Sequence, residues 1–493
     1  MLTIGPSGRT WMRTNKSRLN GMSDRTESAS RRGEAGQTLV LAAFGLTVLM
    51  LAAGLAIDMG YLRYEKRRMQ AAADSAAIAG ASELQYGDWQ SAAQTDASYN
   101  GFTNGTNGVA VTPNCPPLTG PFAGASCTTS FPTSSDSYVE VVVTSTAPTF
   151  FMKVAGVNSV SLSARAVAHL GTASGCVYGL QTGVQGGSVV PALSNGYPID
   201  FDLQLPGCRV YDNSSLILTS QELDALGVGY DGTLSIAGAT VTPAPVPIAP
   251  VSNPLAYLPQ QPTPAPCSTT IMPETLSTGT ATVTAADPGC GVTINGSANV
   301  TFTPGIYTGP INISGQSTVT FNPGTYVLRQ GLTIYGDQTY GAGVTVNGSG
   351  VTFYNTGNDT GNNTINICTA PILPTAGCPP VPIPMSTATN AITLSAPTTG
   401  SYAGILMFQD PGDTQPAMLN GNNIYALSNT TTLQGAMYFP NAQLSVINLS
   451  SPPNGYALAI AQTVAFGGFV NFGSNYSSLP NQSSPIMTAV LAE

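Results

Sequence analysis

Two stretches of this 493-residue chain repeat each other at a fixed step. VTFTPGIYTGPINIS (300–314) and VTFNPGTYVLRQGLTIY (319–335) align at a shift of 19 residues, and a third related run, GVTVNGSGVTFYNTG, occupies 343–357. A unit of about 20 residues holding strand, turn and strand cannot bury its apolar face alone, but stacked on copies of itself it can, which is the signature of a parallel β-helix. Val, Phe, Tyr and Ile of one coil would then lie on their counterparts in the next, with Pro-Gly at 304–305 and 323–324 marking one corner. Apolar strand-like runs continue through 395–410, 433–446 and 456–473. The repeat favours this solenoid over a β-sandwich, the competing architecture.

Such a core needs few charges, and few are present: 8% of residues are charged, against about 25% in an average soluble protein. Eleven of the 15 basic residues lie within residues 1–90, and beyond them only Lys153, Arg165, Arg209 and Arg329 are basic. A net charge of −9 leaves no basic surface for a nucleic acid. The single histidine, His169, reads as the end of the strand SARAVAHL and offers little for metal or proton-transfer chemistry. No cofactor is expected.

Residues 39–57, LVLAAFGLTVLMLAAGLAI, have Thr47 as their only polar side chain. As a helix they span about 28 Å, roughly the thickness of a bilayer core. The run is longer than the apolar part of a signal peptide, and Asp58, Tyr61 and Arg63 follow where a small-residue cleavage site would lie. A retained transmembrane helix is therefore expected. Seven basic residues precede it (Arg9, Arg13, Lys16, Arg18, Arg25, Arg31, Arg32) and four follow (Arg63, Lys66, Arg67, Arg68), a modest bias toward a cytoplasmic N-terminus. All eight cysteines lie beyond the span, which points to an oxidising compartment on that side. Of 105 connectivities, pairing of sequence neighbours closes four local loops: Cys115–Cys127, Cys176–Cys208, Cys267–Cys290 and Cys368–Cys378.

From Asp58 to about Leu84 the chain is Ala-rich and free of proline, so the helix should continue beyond the span, with Gly80 and Gly87 near its end. Its small face (Ala72, Ala73, Ala76, Ala77, Gly80) suits close packing against a neighbouring helix or against its own downstream domain. YVEVVVTST and SVSLSARAVAHL then read as two strands around the apolar loop APTFFMKVAG.

The features of this N-terminal region run in a recognisable order: a basic stretch, Gly36-Gln37, one apolar span, Asp58 and Gly60, Arg67-Arg68, Ala73-Asp74 and Ala79-Gly80-Ala81. In this the chain resembles TadE/TadG-like Flp pilus-assembly proteins. The strand–P-x-F-F–strand element and the strap SNPLAYLPQQPTPAPC are similar to elements of the same family. Leu41 stands where a processed type IV prepilin has Glu, which fits a permanently anchored accessory protein better than a polymerising pilin. The resemblance implies a spanning and docking role for Gly36, Gln37, Asp58, Gly60, Arg67, Arg68 and Asp74. It implies as partners the inner membrane and other Tad/Flp assembly proteins. It also implies a single-pass location in a bacterial inner membrane, with the bulk of the chain periplasmic or on the cell surface. The metal-binding D-x-S-x-S motif of some TadG-like proteins is not matched by DNSSL (212–216) or DGTLS (231–235).

The organisation expected is a cytoplasmic basic tail (1–36), a transmembrane helix (37–58), an extended helix (59–90) and a small α+β stalk domain (91–172). A β-rich start of a solenoid (173–241), a strap with nine prolines (242–267) and a right-handed parallel β-helix-like domain (268–493) complete a mainly β chain. Catalysis is not expected. The acids of the last part are Glu274, Asp287, Asp337, Asp359, Asp410, Asp413 and Glu493, and only Asp410 and Asp413 are close in sequence, in a turn-like QDPGD. The alternative is a carbohydrate-binding or carbohydrate-cleaving surface protein, with Tyr307, Tyr326, Tyr335 and Tyr354 stacking on a glycan ligand.

Overall fold

The structure is a computed structural model that describes residues 34–84, 88–127, 137–172, 175–183, 186–194, 197–267, 274–285, 290–336, 342–357, 364–368, 389–421, 430–479, 482 and 484–493. The basic residues at 9–32, Gly87, Asp287, Asp337, Asp359 and Cys378 lie outside them. The described chain is mainly β. Its helices are α1 (Glu34–Ser82), 49 residues long, and α2 (Trp89–Tyr99). It divides into two units, residues 1–66 with 146–161 and residues 67–145 with 162–493.

In the first unit α1 carries its apolar side chains outward from Leu39 to Ile57. From Thr38 onward the helix is long and apolar enough to cross a membrane. Thr47, the lone polar side chain, returns its hydroxyl to the Ala43 carbonyl at 2.8 Å and so leaves no unsatisfied donor on that surface. Among the described residues, the rest of the unit is the loop joining β2 (Ser137–Pro148) to β3 (Ser159–Thr172), with the adjoining strand ends and a short 3₁₀ turn at Met152–Ala155.

In the second unit the C-terminal part of α1 lies on an antiparallel sheet. Met69, Ala72, Ala73, Ala76, Ala77 and Ala81 are buried with Val139, Val141 and Val143 of β2 and Ala164, Ala166 and Ala168 of β3. The alanines let the helix approach closely: a Cβ on Gly80 would stand 3.1 Å from Val139. Of the two partners open to this small face, the structure shows its own downstream sheet. The sheet order is β1 (Ala110–Asn114), β2, β3 and then the C-terminal strand Met487–Leu491. That last strand thus pairs with β3, Ala168 opposite Leu491, rather than extending the repeats.

Apart from two small two-stranded sheets (Leu216–Leu218 with Leu234–Ile236, and Leu193–Ser194 with Tyr197–Pro198), the remaining strands form one large parallel sheet made of three ladders. Residues 292–294, 299–302, 305–307 and 311–313 visit the first, second, third and again the first ladder in turn. Val300 pairs with Val319 and Phe302 with Phe321, so the 19-residue step seen in the sequence is the ladder register. The step is not kept: Val319 pairs with Val346, and Val346 with Ile392, as longer connections are inserted between strands.

Inward side chains stack along each ladder. Phe302 and Phe321 stack 4.9 Å apart with their ring planes nearly parallel, and Tyr307 and Tyr326 are 5.9 Å apart. The two tyrosine hydroxyls donate to the Thr303 and Asn322 carbonyls at 2.6 and 2.8 Å, which satisfies their polar ends inside the core. Complete burial of each such ring stabilises by ~1.5–3 kcal/mol. The Pro-Gly corner has a steric cause: Gly324 has φ of +139°, and a Cβ there would approach Pro304 of the preceding coil to 2.6 Å.

Spatial order departs from chain order. The strand Ala457–Asn471 pairs on one side with Thr430–Ile447 and on the other with residues 177–179, 189–191 and 201–204. Residues 175–247 therefore continue the three ladders beyond the end of the 274–471 series. The chain enters the ladders midway and winds outward to Pro247. It then returns in an extended strap and winds again from Glu274 toward its point of entry.

The strap runs down the outer side of the third ladder. Its Val251 exchanges two hydrogen bonds with Asn213, its Asn253 donates to Tyr438 at 2.7 Å, its Gln261 donates to Tyr402 at 3.0 Å, and its Pro264 carbonyl accepts from Arg329. Leu255 and Leu258 are buried in one cluster with the outward Tyr354, Phe408 and Tyr438. Nine prolines suit this course, because an extended segment held by side chains needs few backbone N–H donors of its own.

Candidate functional site

Asp58 stands where α1 stops being uniformly apolar, and its side chain is fully buried. Its carboxylate accepts the backbone N–H groups of Phe150, Phe151 and Met152 at 3.0, 2.9 and 2.6 Å. Three donors on one carboxylate replace the water it has lost. The loop in turn is closed on itself, with the Thr149 N–H bonded to the Asn158 carbonyl at 3.1 Å and Val157 N–H to the Met152 carbonyl at 3.1 Å. Gly60, two residues on, has nothing within 4 Å of its Cβ position and is exposed. Gly36 and Gln37 lie in the first turn of α1.

The other residues singled out on α1 fall in the second unit. Arg67 is exposed. Arg68 lies over the Phe102 ring, 5.5 Å from its centroid. Asp74 accepts from Gln70 at 2.8 Å, and the same Gln70 amide donates to the Arg165 carbonyl of β3 at 2.8 Å. Asp74 thus positions a side chain that ties helix to sheet.

A second buried carboxylate was not legible in the sequence. Glu140 of β2 is held by Arg165 at 2.5 Å, by the Thr119 hydroxyl at 2.8 Å, by Asn114 at 2.9 Å and by the Leu118 N–H at 3.1 Å. Arg165 also reaches Glu493 at 2.8 Å. Burial pushes the Glu140 carboxyl up, but Arg165 and the three other donors outweigh it and hold it down at about 2. The signal available was Arg165 itself, one of four basic residues beyond residue 90.

Asp410 and Asp413 are turn residues. Asp410 accepts from the Gly412 N–H at 2.8 Å and Asp413 from the Gln415 N–H at 2.9 Å, as capping of their own backbone requires. Asp413 is buried, bonded to Asn355, and burial with Asp410 nearby raises it to about 6. Asp212 of DNSSL is likewise buried, accepting from Ser188, Val189 and Ser214. His169 lies within β3 rather than at its end, stacked on Tyr138 at 5.4 Å.

The sugar-stacking row of four tyrosines finds no support. Tyr307, Tyr326 and Tyr354 are completely buried and Tyr335 is half-buried, because the repeat places them on the ladders and beneath the strap. Tyr307, Tyr326 and Tyr354 therefore offer no ring face to a glycan. The cysteines pair as neighbours: Cys115–Cys127, Cys176–Cys208 and Cys267–Cys290 are bonded, and Cys368 is disulfide-bonded too. The Cys267–Cys290 bridge fastens the end of the strap beside the coils it has just descended.

Neither a curated protein nor a solved structure matches the chain. Two protein families do. Residues 36–83, which hold the apolar helix, Asp58 and the alanine face, match Tad, described as Flp pilus-assembly TadE/G-like. Residues 65–168, from the second half of α1 through β3, match Tad_C, described as Tad-like Flp pilus-assembly. Over residues 36–168 the chain is therefore similar to the Tad families of Flp pilus-assembly proteins.

Proposed function

We propose that this protein is a membrane-anchored, non-enzymatic accessory component of a Flp/Tad pilus-assembly or secretion apparatus. Residues 37–58 would cross the bacterial inner membrane once, with the N-terminus cytoplasmic and the disulfide-bonded bulk of the chain periplasmic or on the cell surface. The observation that carries this reading is the pilus-assembly family match, which falls on the outward-facing apolar helix and the sheet beyond it. The three ladders would wind as a right-handed parallel β-helix, the hand taken by about 98% of crossovers between parallel strands of one sheet. In this reading the β-helix is a spacer and adhesive surface, and α1 docks with other assembly proteins through Gly36, Gln37, Gly60 and the exposed Arg67. Paired cysteines support an oxidising compartment for everything after the span.

In-frame deletion of the gene should abolish pilus assembly and surface attachment, and the full chain supplied in trans should restore both. Normal piliation in the deletion strain would overturn the proposal.

A further inference from the structure

We infer that the β2–β3 loop, residues 149–157, is a second membrane contact that enters the lipid interface beside the span, at a depth set by Asp58. The inference rests on the reading of α1 as a membrane span. Phe150, Phe151 and Val154 are 57, 48 and 83% exposed, an unusual concentration of apolar surface for nine residues, and Val157 is exposed beside them. All belong to the same compact unit as the span. The three N–H bonds to Asp58 fix the loop backbone at the end of the apolar run.

From there Phe151 reaches back one helical turn, about 5 Å, onto Gly54, where a Cβ would lie 2.6 Å from its ring. Phe150 turns the other way and meets Tyr61 edge to face at 5.4 Å. One aromatic thus lies level with the apolar run and the other at its border, the arrangement of an interfacial aromatic belt. Lys153, which follows them in the loop, has a stem long enough to stay in apolar surroundings while its ammonium reaches lipid phosphates. The same geometry explains why a buried carboxylate ends the run: at this depth the loop N–H groups would otherwise lack water. The occupant that fits is bilayer lipid, because the loop's apolar surface is continuous with that of the helix.

The test uses the full chain reconstituted in phosphatidylcholine–phosphatidylglycerol vesicles, with tryptophan fluorescence quenched by lipids brominated near the headgroup or deep in the acyl chain. The wild-type chain supplies the baseline for Trp11 and Trp89. Val154→Trp should gain at least twofold quenching by the shallow-brominated lipid and should resist aqueous acrylamide. A Val48→Trp control should be quenched by the deep-brominated lipid. Quenching of the control without quenching at 154 overturns the loop contact while leaving the span intact, whether acrylamide reaches residue 154 freely or another protein surface shields it. Failure at both positions overturns the span, and the loop contact with it. Adding Asp58→Ala to Val154→Trp should at least halve the lipid quenching, and unchanged quenching would overturn the assignment of depth to Asp58.

Discussion

Glu140 gains its stability from a cation and three other donors at once, and its protonation should be visible as a loss of order in the sheet. Its ordinary value is 4.5 and its value here is about 2. A depressed carboxyl contributes stability above pH 4.5 that is lost as the pH falls toward 2, roughly 3 kcal/mol in total. Glu140→Gln should therefore speed hydrogen exchange of the β2 and β3 amides about 10–100-fold at pH 7 in the detergent-solubilised chain. Near pH 2 the two proteins should converge. Equal protection at pH 7 would show that the Arg165 contact is ornamental. Asp58 was conspicuous in the sequence because it ends an apolar run. Glu140 was not, because Asn114, Thr119, Arg165 and Glu493 are scattered through the chain and only the fold gathers them.

Among the elements, the repeat was legible because burial of identical side chains in register leaves a periodic trace. What it left hidden was direction. Periodicity states that coils stack, but not that residues 175–247 add to the far side of the last coil. The proline content marked the strap as extended, and only the buried outer side of the third ladder explains where it lies. Gly324→Val must adopt a φ of +139° and meet Pro304, so it should cost about 1–3 kcal/mol in urea unfolding monitored at the coil. Gly279→Val, at a corner with nothing within 4 Å, is strained in φ alone and should cost less. Leu255→Ala and Leu258→Ala each remove a buried side chain from beneath the strap, at about 2–4 kcal/mol. The strap between 242 and 267 should then be nicked at least tenfold faster by a nonspecific protease, and an unaltered nicking rate would mean that the prolines alone hold it.

For the second unit as a whole, the consequence is that sequence distance and structural dependence are decoupled. In a solenoid wound from one end to the other, loss of the last coil exposes only the coil before it. Here Ala457–Asn471 is bonded on both sides, to Gly435–Ile447 and to residues 177–179, 189–191 and 201–204. A chain ending at residue 455 would also lack the strand Met487–Leu491 and the Glu493 partner of Arg165, so β3 would become an open edge. Limited proteolysis of that truncated chain, read by mass spectrometry, should find residues 175–247 cleaved at least tenfold faster than in the full chain. Residues 292–335, separated from the break by intact coils, should keep their protection. If instead only residues 430–447 became sensitive, the 175–247 coils would be a self-sufficient body, and the central position of the last coil would carry no energetic weight.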